Sequence, residues 1–167
     1  ISYLDIPLLM ANVRNISFVA KHEISSWPIF GQAARQIDTV FVKRENGSSR
    51  KVARDSVQKA VLEGKRVIIF PSGTTCMLEN KNWKKGAFSI AKETGSFIQP
   101  FRITYEPMRS VAYIDQDFFP LHIYNLCAFE KIKAKIEFHG PVKVEDPSWD
   151  CTKWHYWSRG LIDAKNN

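Results

Sequence analysis

The sequence predicts one α/β domain over residues 1–167, with a mixed, mostly parallel β-sheet flanked by helices. Two observations lead to this fold class. Apolar, β-rich segments alternate along the chain with segments of helical periodicity, and the first two strands are spaced as in a βαβ unit. The length of 167 residues lets the chain bury about two thirds of its unfolded surface, so the core requires no metal or disulfide.

The first half of the chain contains the predicted βαβ unit and one further helix. Residues 16–20 and 39–43 are β-rich strands, and residues 28–34 between them have helical character. Ser48 or Ser49 can cap the next helix, which Gly64 ends. The apolar positions of this helix follow i, i+4, i+7, i+8 spacing and are Ala53, Val57, Ala60 and Val61.

A third strand over residues 66–70 and a second short helix over residues 85–94 follow in the middle of the chain. The helix places Ala87, Ile90 and Ala91 on one face, and Gly95 marks its end. The next predicted strand spans residues 97–103. Pro100 lies within it and indicates a sheet edge or a bulge, because proline cannot donate to a β-ladder.

The last third of the chain contains two more predicted strands and a helix. Residues 111–114 form a short strand, and residues 131–138 alternate strictly between apolar and polar side chains. This alternation predicts a buried face made of Ile132, Ala134, Ile136 and Phe138. The final helix is expected to pack on the sheet and carries Trp149, Trp154, Tyr156 and Trp157.

The segment from Phe70 to Thr75, with the sequence Phe-Pro-Ser-Gly-Thr-Thr, is the most informative motif. Pro71 removes a backbone donor and ends the strand, while Gly73 lets the backbone turn sharply and approach a ligand closely. Ligands of α/β sheets bind at the carboxyl ends of strands, where this segment is predicted to lie. Its amides and hydroxyl groups therefore form a candidate anion site, and an ordinary strand exit is the alternative.

The charge of the chain favours an anionic partner. The formal net charge is +7, from 24 basic and 17 acidic residues, which suits phospholipid surfaces, phosphorylated metabolites, acidic carrier proteins or nucleic acid. Since no nucleic-acid recognition motif accompanies this charge, nucleic acid is not predicted as a partner. Three widely spaced cysteines without a Cys-x-x-Cys pair argue against a structural zinc site, and no metal is predicted.

Four local features, at residues 2–5, 40–44, 70–75 and 98–101, resemble in order and spacing the four sequence blocks of the glycerolipid acyltransferase family. Familiar members of that family are the 1-acylglycerol-3-phosphate acyltransferases. The first family block reads Asn-His-x-Ser-x-x-Asp, and Ser2 and Asp5 fall on its last two fixed positions. The resemblance therefore implies a glycerol-3-phosphate acyltransferase-like fold, and it predicts a histidine immediately before Ile1.

The chemistry implied by this resemblance is acyl transfer in phospholipid biosynthesis. The donor would be an acyl thioester, acyl-CoA or acyl carrier protein, and the acceptor would be the hydroxyl of a lysophospholipid such as 1-acylglycerol-3-phosphate. The upstream histidine would act as general base, and Asp5 would orient its ring. No cofactor is expected to be bound. A helix N-cap is the alternative role for Asp5, because aspartate is favoured at that position.

The resemblance also implies substrate-binding residues. Arg44 ends the second block, where the family places a basic residue against the acceptor's phosphate. In the third block the family usually has Phe-Pro-Glu-Gly-Thr-Arg, so Gly73 and Thr74 match while Ser72 and Thr75 depart from it. The predicted substrate-binding residues are Arg44, Ser72, Gly73, Thr74, Thr75 and Lys85.

The two departures at positions 72 and 75 bear on the acceptor. Ser72 replaces the family's glutamate, which removes a carboxylate, and Thr75 replaces its arginine, which removes a candidate phosphate clamp. Lys84, Lys85 or backbone amides could bind the phosphate instead. A neutral or zwitterionic acceptor would also suit the change. In the fourth block, Pro100 is predicted to lie in the acyl-donor region. The alternative interpretation is that this block is an ordinary core strand.

The expected location is the cytoplasmic face of a membrane. The chain starts at Ile1 without methionine, which leads us to expect a missing upstream segment that anchors the protein or leaves it peripheral. The main rival to an enzyme is a non-catalytic lipid- or phosphate-binding domain of the same fold. A basic nucleic-acid binder is the second rival, and it rests on charge and the aromatic tail.

Overall fold

The computed structural model describes residues 2–22, 25, 39–42, 47–73, 82–114 and 117–162. Within these ranges the elements in chain order are α1 (Asp5–Asn12), β1 (Ile16–Lys21), β2 (Val40–Val42), α2 (Gly47–Leu62), β3 (Arg66–Ile68), α3 (Gly86–Thr94), β4 (Phe97–Ile98), β5 (Phe101–Glu106), α4 (Met108–Val111), α5 (Phe119–Cys127), β6 (Lys133–Phe138), β7 (Val142–Lys143) and α6 (Pro147–Ser158).

The centre of the fold is a parallel sheet with the strand order β2-β1-β3. The second half of β1 pairs with β2, from Val19 opposite Val40, and its first half pairs with β3, from Ile16 opposite Arg66. Because all three strands run in the same direction, their carboxyl ends meet at one edge of the sheet. The chain that leaves β3 therefore reaches this edge, as the sequence predicted.

Two antiparallel strand pairs accompany the parallel sheet, β4 with β7 and β5 with β6. Gln99 and Pro100 separate β4 from β5, so the predicted continuous strand is interrupted at its proline. The Pro100 carbonyl accepts a hydrogen bond from the His139 backbone N–H at 2.8 Å, just beyond the end of β6. The parallel sheet and the flanking helices confirm the α/β class, and the two antiparallel pairs add the mixture of strand directions among the described residues.

The buried apolar side chains form two clusters. The first core cluster joins α1, β1, β5, α4 and α5 and contains Leu9, Phe18, Ile103, Tyr105, Val111 and Leu126. The second core cluster joins α3 and α6 near β7 and contains Phe88, Ala91, Val144, Cys151, Trp154 and Trp157. Ile98 of β4 and Val142 of β7 pack against the second cluster, which confirms that the tryptophan-rich helix folds back onto strands.

The predicted strand over residues 111–114 is wrong. Residues Met108–Val111 form the short helix α4, whose turn is closed by a 2.9 Å hydrogen bond from the Ala112 N–H to the Met108 carbonyl. The fixed φ of Pro107 at the N-cap suits a helix start. Val111 and Ala112 are both fully buried, and two consecutive buried residues do not fit an alternating, half-buried strand.

Several predicted boundaries and one predicted face also need correction. Helix α2 begins at Gly47, so Ser48 and Ser49 lie inside its first turn and are not its caps. In β6, Ala134 is exposed and Phe138 is 44% exposed, so only Ile132 and Ile136 of the predicted buried face pack against the first core cluster. Strand β3 ends at Ile68, two residues before the predicted end. The predicted helix over residues 28–34 lies outside the described residues.

The end of α2 depends on a glycine. Gly64 has a φ of +80°, its N–H donates to the Val61 carbonyl at 3.0 Å, and the Lys65 N–H donates to the Ala60 carbonyl at 3.0 Å. These two bonds form a Schellman motif, in which the left-handed residue is usually glycine.

We expect Gly64→Ala to lower the free energy of unfolding by about 1 kcal/mol, because a Cβ disfavours the left-handed conformation. Urea denaturation measures this change. Gly86→Ala in α3 is the matched control, since no atom lies within 4 Å of the added Cβ and the backbone is not left-handed. The control is expected to be neutral or stabilising by up to about 1 kcal/mol. Equal losses in the two variants would contradict this explanation.

Candidate active site

A buried carboxylate lies at the start of α1. Asp5 Oδ1 accepts a hydrogen bond from the Tyr105 hydroxyl at 2.8 Å, and Oδ2 accepts one from the Ser2 backbone N–H at 3.2 Å. The Asp5 N–H donates back to the Ser2 carbonyl at 3.1 Å, so residues 2–5 form a tight turn. Leu4 occupies the N-cap position, and Asp5 is the first helical residue. The N-cap role considered for Asp5 is therefore wrong.

Tyr105 completes this arrangement and is a candidate site residue that sequence reasoning missed. It lies on β5, where its side chain shares the buried face with Ile103. The alternation along β5 was a usable signal, because a tyrosine on a buried face generally needs a partner for its hydroxyl. Burial, and then the neighbouring Asp5 carboxylate, raise the pKa of Tyr105 above its ordinary value. The hydroxyl therefore stays protonated and donates to Asp5.

This raised pKa predicts a loss of stability in alkali. The unfolded state releases the Tyr105 proton near pH 10 and the folded state releases it at higher pH, so the stabilisation is complete below about pH 10 and is lost above it. We expect the free energy of unfolding to fall more steeply above pH 10 in the wild type than in Tyr105→Phe. Urea denaturation between pH 7 and pH 11 measures both slopes, and equal slopes would contradict the assignment.

The Phe70–Gly73 segment forms the expected turn after β3. The Gly73 N–H donates to the Phe70 carbonyl at 3.0 Å, and Gly73 has a φ of +68°. The Pro71 carbonyl accepts from the Lys84 N–H at 3.0 Å, which joins this turn to the segment that leads into α3. Ser72 and Gly73 therefore lie beside the amino end of α3, where backbone amides favour anions.

Lys85 occupies the N-cap position of α3, close to this turn in the chain. Its ammonium group is directed at α6, where Nζ lies 3.4 Å from Ser148 Oγ. Lys85 is thus near the Pro71 turn through its backbone neighbour Lys84, while its charge faces α6. Its predicted role in binding the acceptor stays a prediction, and Arg44, Thr74 and Thr75 lie outside the described residues.

Strand β5 connects the first, third and fourth sequence blocks. Tyr105 on β5 binds Asp5, and Phe101 at the start of β5 packs edge-on against Phe70 with 6.1 Å between ring centroids. Pro100 directly precedes Phe101. The structure therefore brings Asp5, the Phe70–Gly73 turn and Pro100 around one strand, although they are distant in the sequence.

The histidines near these elements have other partners. His122 lies next to the turn of residues 2–5 and engages the Tyr3 hydroxyl through Nδ1 at 2.9 Å and the Ala112 carbonyl through Nε2 at 3.1 Å. His139 packs against Trp154 at the second core cluster, and His155 packs against Trp83. Within the described ranges, no three histidine, cysteine, aspartate or glutamate residues are grouped as metal ligands.

The sequence also matches known proteins. The family model described as Acyltransferase matches residues 1–104 of the chain. A lyso-ornithine lipid O-acyltransferase from Pseudomonas aeruginosa is 30% identical over 147 residues, which cover 85% of this chain and 56% of that protein. A 1-acyl-sn-glycerol-3-phosphate acyltransferase from Neisseria gonorrhoeae is 28% identical over 144 residues, covering 83% of this chain and 56% of that protein.

The fold also matches a solved structure. The crystal structure of the 1-acyl-sn-glycerophosphate (LPA) acyltransferase PlsC from Thermotoga maritima superposes with a TM-score of 0.70 at 21% identity, covering 99% of this chain and 64% of that one. The chain spans just over half the length of the two relatives above. Among the described residues, none of the helices has the length and apolar character needed to cross a membrane. The family-model match, which extends over more than half of the sequence, shows that this chain belongs to the acyltransferase family.

Proposed function

We propose that the protein transfers an acyl group from a thioester to the hydroxyl of a lysolipid. The observation that carries the proposal is the buried Asp5 carboxylate, which the Tyr105 hydroxyl and the Ser2 N–H hold in one orientation. A carboxylate fixed in this way can orient a histidine and stabilise its protonated form. The histidine of the family's first block would directly precede Ile1.

In this mechanism the histidine removes the proton from the lysolipid hydroxyl as its oxygen attacks the thioester carbonyl. The carbon–sulfur bond then breaks, and the departing thiolate takes the proton back from the imidazolium, so no covalent acyl-enzyme forms. General-base assistance of this kind contributes about 10²–10⁴-fold to the rate. The donor is acyl-CoA or acyl carrier protein, in agreement with the net charge of +7.

Two lysolipids are candidate acceptors. The names of the relatives support lyso-ornithine lipid and 1-acylglycerol-3-phosphate alike. Ser72 and Thr75 stand where the family usually has glutamate and arginine, so a candidate phosphate clamp is missing. This difference favours the lyso-ornithine lipid, whose ornithine headgroup has no phosphate, over 1-acylglycerol-3-phosphate.

We also propose that the protein works at the cytoplasmic face of a membrane, where its lipid acceptor resides. Helix α5 and the residue before it support this location, because Phe118 and Tyr124 are 70% and 74% exposed. Large apolar side chains at the surface suit contact with lipid, and the basic net charge suits anionic headgroups.

An assay of thiol release with acyl-CoA and a panel of lysolipids tests the proposal on the full-length protein. We expect thiol release that depends on an acceptor, with lyso-ornithine lipid giving the highest kcat/KM. A higher kcat/KM for 1-acylglycerol-3-phosphate would overturn the acceptor assignment alone. If the protein binds lysolipid saturably but releases no thiol from either acyl-CoA or acyl carrier protein, the enzymatic proposal is overturned. This result would support a non-catalytic binding domain.

A further inference from the structure

A second hydrogen-bonded pair lies beside the Asp5 turn and has no part in the chemistry described above. Tyr3 is in the middle of the turn of residues 2–5, and its hydroxyl lies 2.9 Å from His122 Nδ1 on α5. The two residues are 119 positions apart in the chain. The contact therefore attaches the turn of residues 2–5, which carries Asp5, to helix α5.

The geometry defines the direction of this hydrogen bond. His122 is buried, and its Nε2 lies 3.1 Å from the Ala112 carbonyl, which can only accept. In the neutral ring Nε2 therefore carries the hydrogen and Nδ1 is an acceptor, so the Tyr3 hydroxyl donates to it. The hydrogen bonds from Tyr3 to His122 and from His122 to the Ala112 carbonyl therefore join the turn of residues 2–5 to the residue that follows α4.

Aromatic rings enclose the pair and limit its movement. The Tyr3 ring packs edge-on against Phe119 with centroids 5.3 Å apart, and Tyr113 lies 5.9 Å from Tyr3 and 5.5 Å from His122. The hydrogen bond is partly buried beside these rings, so water competes with it less than with a fully exposed bond. The side chain of Tyr3 is thus held at its ring and at its hydroxyl.

We propose that Tyr3 and His122 are positioning residues, which hold the turn of residues 2–5 against α5 so that the Asp5 carboxylate keeps its orientation in the active site. This inference rests on the proposed acyl transfer. Tyr3 and Asp5 are two residues apart on one tight turn, so a movement of the Tyr3 end displaces the carboxylate. A displacement of about 1 Å in a catalytic group can cost about 10²-fold in rate.

The first test is Tyr3→Phe in the full-length protein. We expect kcat to fall about tenfold, with little change in the KM for the acceptor, because the substitution removes one hydrogen bond and leaves the ring in place. The matched control is Tyr113→Phe, which removes a hydroxyl from the same aromatic cluster and leaves the bond between Tyr3 and His122 intact. Its kcat is expected to equal that of the wild type.

Two substitutions of His122 separate positioning from simple packing. Asparagine places its carbonyl oxygen near the position of Nδ1 and can still accept from Tyr3, whereas glutamine places its amide nearer to Nε2. We expect His122→Asn to retain more of the wild-type kcat than His122→Gln, although glutamine fills more of the cavity. Amide exchange at Leu4 and Asp5 is expected to accelerate in His122→Gln and in Tyr3→Phe.

The outcomes distinguish this inference from the proposed function. Wild-type kcat in Tyr3→Phe, or equal kcat in the two His122 variants, would overturn the positioning role while leaving the acyltransferase intact. Absence of thiol release from the wild type would overturn the proposed function, and the positioning role with it. If the His122 variants fail to fold, Tyr3→Phe decides, because it removes a single oxygen atom.

Discussion

Replacing Asp5 by asparagine is expected to lower kcat/KM for acyl transfer about 10³-fold. Asp5 is buried, and each of its carboxylate oxygens accepts a hydrogen bond, from Tyr105 and from Ser2. The asparagine side chain has nearly the same shape, but an NH₂ group replaces one of the two acceptor oxygens. It also lacks the negative charge that would stabilise a protonated histidine.

Steady-state thiol release at saturating donor measures this effect. Asp55→Asn is the matched control, because it makes the same chemical change at an exposed position on α2. The control is expected to retain wild-type activity. If Asp5→Asn folds and keeps more than about a tenth of wild-type kcat/KM, Asp5 is not the partner of the general base.

Trp154→Ala is expected to have the largest effect on stability, with a loss of about 3–5 kcal/mol in the free energy of unfolding. Trp154 is 3% exposed at the centre of the second core cluster. Its ring contacts His139 at 4.7 Å and Trp157 at 5.7 Å between centroids. Removal of the indole leaves a cavity between α6 and its neighbours, which the surrounding side chains cannot fill.

The same helix provides the control for this substitution. Trp149 on α6 is 64% exposed, so Trp149→Ala is expected to change the free energy of unfolding by less than about 0.5 kcal/mol. Urea denaturation, monitored by circular dichroism, measures the free energy of unfolding of both variants. Similar losses at the two positions would contradict the explanation, because they would show that the burial of Trp154 does not distinguish it from the exposed Trp149.

The sequence was sufficient for features that depend on local pattern. Strand β1, helix α3 with its final Gly95, and the turn at Phe70–Gly73 follow from alternation, apolar periodicity and the Pro-x-Gly signal. Each of these signals acts over a few residues, so their positions could be read without knowing the fold. The resemblance of Ser2 and Asp5 to the family's first block led to Asp5 as a candidate site residue, and its catalytic role stays a prediction.

Features that depend on contacts between distant segments could not be read in the same way. Tyr105 is 100 residues from Asp5, and the pattern of β5 indicates a buried face without indicating what lies opposite it. The segment at Val111 has strong β propensity, yet Val111 ends the short helix that follows Pro107 and is fully buried together with Ala112. Tertiary packing overrides local propensity at such positions.

The most direct test of the central claim is a comparison of thiol release by the full-length protein before and after alanine replaces the residue that directly precedes Ile1. We expect this residue to be histidine, and we expect its replacement to lower lysolipid-dependent thiol release about 10²–10⁴-fold while the protein stays folded. A residue other than histidine, or undiminished thiol release after the replacement, would show that Asp5 does not act with a histidine base at this position.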